Sequence, residues 1–148
     1  MIDKASTGRW MVSQPYQLAQ RIGVLTAQID DYNDRVLKIT ATMQEDPVAH
    51  TRNPHSMEDQ IVNIVALEVQ RNTLRAEYAS AVKELRTVID AIYPDDDLHN
   101  LILKARHLRF EQWQQIADCV DRTVRRVMQM NDEAVIRIDQ YIEENGNG

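Results

Sequence analysis

Two long stretches of the chain carry apolar residues at alternating steps of four and three positions, and this spacing constrains the fold more than any other feature. Such steps draw one narrow apolar line along an α-helix, a pattern typical of coiled coils. The first line comprises Leu18, Ile22, Leu25, Ile29, Tyr32, Val36, Ile39 and Met43. The second comprises Ile64, Leu67, Arg71, Leu74, Tyr78, Ala81, Leu85, Val88 and Ile92. The spacing therefore predicts two long helices, each with a single seam.

Turn-forming residues set the predicted ends of these helices. Pro15 suits the first position of a helix, where its missing N–H costs nothing, so we predict a flexible tail over residues 1–13. The segment 44–56 holds two prolines and is typical of a loop. Ser56 is the predicted N-cap of the second helix, and Pro94 follows its end.

Two helices joined by a loop of this length most simply pack as an antiparallel hairpin, here residues 14–93. A hairpin with one seam buries little apolar surface for its length. We therefore expect it to pair with a second copy as a homodimer, giving a four-helix bundle. Arg71 on the second seam is predicted to be structural, either setting the register or reaching out to solvent.

Residues 94–143 have the pattern of three shorter helices, with a tail predicted over residues 144–148. Asp95–Asp97 offers N-caps for the first of them. The second is short, and a tight turn at Asp121-Arg122 separates it from a third helix capped by Thr123. This order is that of a three-helix unit containing a helix-turn-helix. The predicted fold class is thus all-α, a long antiparallel coiled-coil hairpin followed by a C-terminal helix-turn-helix unit.

The start of the third helix is the candidate DNA-reading surface, because a recognition helix places its N-terminal residues against base edges. Arg can donate two hydrogen bonds to guanine and Gln can pair twice with adenine. The side chains expected to face outward are Val124, Arg125, Met128 and Gln129, with Arg125 and Gln129 as base readers. Phosphate contacts are expected from Arg122, Arg126, Lys104, Arg106 and the helix N-terminus at Thr123.

Charge is unevenly distributed along the chain. The 148 residues carry a net charge of −6, yet residues 104–126 hold six basic side chains against three acidic ones, a net +3. A basic patch on an acidic body fits nucleic-acid binding, which needs clustered cations. It equally fits a mixed-charge surface on a three-helix cap, and the charge alone leaves both open.

Several classes of function lack support in the sequence. No apolar run approaches the ~18 residues of a membrane span, and residues 1–9 lack a secretory signal. Cys119 is the single cysteine, which suits a reducing cytoplasm. The histidines show no zinc spacing, and no phosphate-binding loop or catalytic set is visible. We expect neither an enzyme nor a cofactor.

The stretch Leu103–Val135 resembles region four of bacterial sigma factors, and in particular the ArpU-like late-transcription regulators encoded by phages of Gram-positive bacteria. The residues upstream, "SMEDQIVNIVALEVQRNTLRAEY", resemble the second helix of one branch of that group. The matching positions are Arg106-His107, Trp113, Ile116-Ala117, Val120, Thr123, Val127 and Ala134-Val135.

This resemblance implies a sigma-like DNA reader at phage or prophage promoters. The chain departs from the family pattern at the turn, where Asp121 and Arg122 replace a glycine and an apolar residue. Gln115 stands where a glutamate is common, and Val124 and Met128 are less polar than expected of base readers. Asp tolerates the left-handed backbone, so we expect the turn to form.

The leading expectation is a sequence-specific, dimeric transcription regulator of phage or prophage origin that binds double-stranded DNA. One alternative is a small terminase subunit, which also combines helical oligomerisation with a helix-turn-helix in DNA packaging. Another is a protein-interaction module that acts on RNA polymerase or a host factor. A ring of eight or more chains would favour packaging, whereas a dimer would favour regulation.

Overall fold

The structure, a computed structural model, describes residues 7–45 and 54–146. These residues form helices and connecting turns without a strand, which confirms the predicted all-α class. None of the described helices is both long and apolar enough to cross a membrane. The five helices are α1 (Gly8–Glu45), α2 (Pro54–Ile92), α3 (Leu98–His107), α4 (Trp113–Val120) and α5 (Val124–Gly146).

The chain divides into two compact units, whose boundary falls inside α1 and α2. We call residues 1–18 with 78–148 the terminal unit and residues 19–77 the middle unit. This division differs from the predicted one between residues 93 and 94. The last turns of α2 bury Leu85 and Ile89 against α3 and α5, and so belong with the C-terminal helices.

In the middle unit, α1 and α2 contact each other along the predicted seams. Every seam position here is buried or half-buried, with Ile29 and Leu74 the most enclosed. The Nη1 of Arg71 donates to the Oγ1 of Thr26 at 3.3 Å, so Arg71 has a structural contact on the seam. Further along α1, Tyr32 shares a groove with Asn63 of α2.

The predicted tail over residues 1–13 is wrong for the described residues, because α1 begins at Gly8 and not at Pro15. Thr7 caps this helix, its hydroxyl accepting from the N–H of Trp10 at 3.1 Å. Met11 and Val12 are buried in the core of the terminal unit. Their burial offsets the hydrogen bond that Pro15 cannot donate inside the helix. Residues 1–6 lie outside the described part.

The other predicted boundaries shift by a few residues. α1 extends to Glu45, and α2 begins at Pro54, two positions before Ser56. Most of the predicted loop, residues 46–53, lies outside the described residues, as does His50. The predicted C-terminal tail is wrong in its first part, because α5 continues to Gly146.

Two apolar clusters hold the terminal unit together. The first joins the beginning of α1, the end of α2, α3 and α5, and contains Met11, Val12, Leu85, Val88, Ile89, Leu103, Ala134, Val135 and Ile138. The second joins α3, α4 and the first turns of α5, and contains Ile102, Ala105, Ile116, Ala117, Val120, Val127 and Met130. α5 contributes one side to each cluster, so its remaining face is turned to solvent.

Candidate nucleic-acid interface

The turn between α4 and α5 is made by Asp121 in the left-handed conformation, with φ 54° and ψ 51°. The N–H groups of both Asp121 and Arg122 donate to the carbonyl oxygen of Ala117, which ends α4. Asp is among the few non-glycine residues that adopt this backbone at modest cost. The expectation that Asp121 would permit a tight turn is confirmed.

Thr123 fixes the start of α5. Its hydroxyl accepts a hydrogen bond from the N–H of Arg126 at 3.1 Å, and its carbonyl oxygen accepts from Val127 at 3.0 Å. This is N-cap geometry, as predicted, and it satisfies one of the free donors at the helix start. The cap determines which residues of the first turn point outward.

The crossing of α4 and α5 is close and apolar. Ala117 is almost fully buried, and its methyl group leaves room for the two helices to approach. Val120 and Val127, on either side of the turn, are buried in the same cluster. These three positions match the sequence prediction, and together they hold the outer face of α5 in place.

Arg125, Met128 and Gln129 form the exposed outer face of the first two turns of α5. Met128 is 43% exposed, which is high for an apolar side chain. Among the described residues, the guanidinium of Arg125 has no hydrogen bond or ion pair, so it is available to a ligand. This face can offer Arg and Gln donors to a flat polar surface.

The position of Val124 differs from the one predicted for it. It was expected to face outward with the readers, but it is half-buried and packs against the second apolar cluster. The cause is its position one residue after the N-cap, where the first turn of α5 meets α4. Val124 therefore supports the turn and does not face outward with Arg125 and Gln129.

Arg126 belongs to a polar chain that the sequence did not reveal. Its Nη1 contacts the Oε1 of Glu133 at 3.2 Å, and the Oε2 of Glu133 contacts the Nε2 of His99 at 3.2 Å. The Nδ1 of His99 in turn contacts the Oδ1 of Asp97, the N-cap of α3, at 3.0 Å. The hydrogen bond from His99, followed by that from Arg126, lowers the pKa of Glu133. Arg126 is exposed but oriented by this chain.

Lys104, which the sequence predicted as a phosphate ligand, is instead paired with a carboxylate of α2. Its ammonium group donates to the Oδ1 of Asp90 at 2.7 Å, and Asn100 donates to the same oxygen at 3.0 Å. These two hydrogen bonds, led by that from Lys104, lower the pKa of Asp90. The Lys104 side chain is largely covered and joins α3 to the end of α2, so it is not presented to a phosphate as the sequence predicted.

Arg106 is also structural. Its guanidinium lies over the ring of Trp113, 4.3 Å from the centroid, and its Nη1 donates to the carbonyl oxygen of Glu111 at 3.0 Å. A stacked, hydrogen-bonded guanidinium of this kind ties the end of α3 to the start of α4. Arg109 pairs with Glu111 at 2.8 Å. Of the six cations in the basic stretch, Lys104, Arg106 and Arg109 are thus held in contacts away from the start of α5.

Arg122 stays exposed beside the turn. Its Nη1 donates to the carbonyl oxygens of Val120 and Asp121 at 3.3 and 3.0 Å, which are orphan acceptors at the end of α4. The remaining guanidinium N–H groups are free to meet a phosphate. The basic patch predicted from the sequence therefore reduces to Arg122, Arg125 and Arg126 around the start of α5.

His107 and Asn131 form a polar pair within the terminal unit. Asn131 is buried, and its Oδ1 lies 2.7 Å from the Nε2 of His107. Because Oδ1 can only accept, Nε2 carries the proton and donates. Burial, opposed by this hydrogen bond and aided by the charge of Arg106, lowers the pKa of His107. The pair joins α3 to α5.

No protein-family model matches the chain, and comparison with curated proteins and with solved structures likewise returned no match. Within the described residues, no three His, Cys, Asp or Glu side chains group in a way that would hold a metal ion.

Proposed function

We propose that this protein is a sequence-specific DNA-binding transcription regulator in which the start of α5 reads the major groove. The observation that carries the proposal is the outer face of α5, where Arg125 and Gln129 stand exposed on a helix whose opposite side is buried. A recognition helix needs this combination, because its buried side fixes the orientation in which its exposed side meets the base edges.

In this proposal α4, the Asp121 turn and α5 act as a helix-turn-helix, and α1 with α2 acts as an antiparallel hairpin. Arg125 donates to guanine and Gln129 pairs with adenine, while Arg122 and Arg126 contact phosphates. Glu133 holds Arg126 in position at a distance of 3.2 Å. The free N–H groups at the start of α5 add donors for one phosphate.

The resemblance to ArpU-like regulators supports a phage or prophage promoter as the place of action. A homodimer would present two copies of α5 to one duplex, which predicts a site with two similar halves. Contact with RNA polymerase is compatible with the likeness to region four of sigma factors.

A protein partner for the same face is the second candidate, and the exposure of Met128 favours it. An apolar side chain at the centre of the face suits a protein surface better than a phosphate backbone. In that case α5 would bind a protein directly, and added duplex DNA would not displace that protein from α5.

The test is selection of bound duplexes from a random pool, followed by fluorescence anisotropy on the selected site at two salt concentrations. We expect affinity to fall steeply with salt, because phosphate contacts release counterions. Arg125→Ala should reduce the preference for the selected site over a scrambled one by roughly 5- to 150-fold, the equivalent of about 1–3 kcal/mol.

Arg86→Ala is the control, since Arg86 is also exposed but lies on α2 of the same unit. It should leave both affinity and preference unchanged. Binding that ignores salt, or equal effects of the two substitutions, would contradict the proposal.

A further inference from the structure

The segment of α2 from Ile61 to Val69 is apolar on all sides. Seven of its nine residues are apolar, which leaves Asn63 and Glu68 as the polar members. A helix that is apolar all round is normally covered all round. Here only one side is covered, because Ile64 and Leu67 are the seam positions half-buried against α1.

The uncovered side is a row of four aliphatic residues, which we call the outer stripe. Residues 61, 65 and 69 are spaced four apart and residue 62 follows the first of them, so all four lie on one face of the helix, opposite the seam. Their exposed fractions range from 46% to 66%, far above those of the seam. The outer stripe comprises Ile61, Val62, Val65 and Val69.

The middle unit has too little buried surface for its length. Ile29 and Leu74 are the buried apolar residues among its described positions, and the rest of its seam is half-buried. One layer of two helices cannot enclose a core, so a further layer is required. The outer stripe, a contiguous patch of a few hundred Å², is the surface on which that layer would pack.

The geometry points to a second copy of this chain as the partner, with the two α2 helices antiparallel about a twofold axis at Val65. In this register Val65 meets Val65 of the second copy, and Ile61 meets Val69, so that three of the four stripe positions face apolar residues, while Val62 lies level with Glu68. A twofold interface must be self-complementary in this way. The dimer would have four helices, with the two α2 helices at its centre.

Charge at the ends of the outer stripe selects the antiparallel direction. Glu58 and Asp59 are exposed at its beginning, and Arg75 is exposed beyond its end. A parallel pair would set the acidic ends side by side, which costs free energy. An antiparallel pair brings each acidic end to within about one helical turn of Arg75 of the other copy. The aliphatic stripe thus forms the centre of the interface and the charged groups its rim.

The decisive experiment compares Val65→Asp with Val24→Asp by light scattering after size exclusion. The two valines are matched, at 54% and 59% exposure, but Val24 lies on α1 away from the stripe. We expect the unaltered protein and Val24→Asp to be dimers at about 50 µM, and Val65→Asp to dissociate at least 100-fold more readily. Circular dichroism checks that helix content is retained.

Crosslinking provides a second measurement that does not depend on destabilising the chain. In a Cys119→Ser background, Val65→Cys should form a disulfide-linked dimer on mild oxidation, because the two sulfur atoms would meet at the axis. Val24→Cys should remain monomeric under the same conditions. Bonding at position 24 but not at 65 would show that a different face is used.

Three outcomes overturn the inference: a monomer at 50 µM, a ring of eight or more chains, or the same response to Val65→Asp and Val24→Asp. The expectation that dimerisation strengthens DNA binding rests on the proposed function, and it is measured separately. Val65→Asp should weaken binding to a two-half site at least tenfold while leaving the base preference due to Arg125 intact. A dimer that binds no DNA would overturn the proposed function alone.

Discussion

Arginine side chains of the terminal unit fall into two groups, according to what their guanidinium groups contact. Arg106 stacks on Trp113 and Arg126 pairs with Glu133, whereas Arg125 has no partner among the described residues. An engaged guanidinium costs more to redirect than a free one, because its present contacts must be given up first. In the proposed DNA complex, discrimination between bases is therefore expected to depend on Arg125 above the others.

At the same scale, His107 should make stability depend on pH between 7 and 5. Its pKa is lowered in the folded protein, mainly by burial, so the unfolded chain binds the proton more readily. The folded state is therefore fully favoured above the ordinary pKa of about 6.5 and loses stability as the pH falls below it. Thermal unfolding monitored by circular dichroism should give a lower Tm at pH 5 than at pH 7.

His107→Gln is the matching variant, because its amide can still donate to Asn131 but does not titrate. Its Tm should fall less over the same range. The pKa values of Asp90 and Glu133 are lowered, first by the hydrogen bonds from Lys104 and His99 respectively. The stability that these two carboxylates contribute is therefore lost only below about pH 4, outside the range of this measurement. A drop in Tm of equal size in the variant would exclude His107 as the source.

At the scale of elements, the direction of α5 depends on one turn. Asp121 adopts φ 54° between α4 and the Thr123 cap, and the apolar contacts of Val120 and Val127 are made only if the chain reverses at this residue. The turn therefore sets which residues of α5 are exposed.

Substitutions at Asp121 should test this turn directly. Asp121→Gly should raise the free energy of unfolding by up to about 1 kcal/mol, because glycine adopts φ > 0 without steric cost. Asp121→Val should lower it by about 1–2 kcal/mol, because a β-branched side chain clashes in that region. Urea unfolding measures both changes, and Asp121→Asn controls for the lost charge. If the valine variant were as stable as the original, the left-handed turn would be wrong.

At the scale of the whole molecule, the beginning and the end of the chain belong to one unit. Gly8 lies against α5, where its N–H donates to the Oδ1 of Asp139. A Cβ atom at Gly8 would lie 2.6 Å from the carbonyl oxygen of Val135 and 2.9 Å from the backbone N of Asp139. These are backbone atoms of a helix and cannot move aside cheaply, so the first turn of α1 needs a glycine here.

Gly8→Ala should accordingly destabilise the protein by about 1–3 kcal/mol through overpacking. Gly23→Ala is the matched control in the same helix, because no atom lies within 4 Å of its added Cβ. That control should stabilise the protein by about 1 kcal/mol, since alanine favours the helix more than glycine does. Denaturant unfolding of the two variants gives the comparison. Stabilisation by both would mean that α1 does not contact α5 at Gly8.

Local patterns in the sequence were sufficient for the helices, the seam positions and the turn at Asp121. The spacing of apolar residues shows which face of a helix is buried, and it can be read within that helix alone. The turn at Asp121 and the cap at Thr123 likewise depend only on residues a few positions away. The same local reasoning failed for Val124 and for the first turns of α1. Pro15 looked like a helix start because the partners of Met11 and Val12 lie more than seventy residues away.

Contacts between distant residues decided the rest. Pairing of Lys104 with Asp90, and stacking of Arg106 on Trp113, turned two expected phosphate ligands into structural residues. Phe110 has φ 58°, against the local preference of an aromatic residue, and its ring packs edge-on against Tyr16 at 5.4 Å. A sequence specifies periodicity and capping through neighbours along the chain. Whether a charged side chain is free to bind a ligand depends instead on residues that are near it in space, and these come together only when the helices pack.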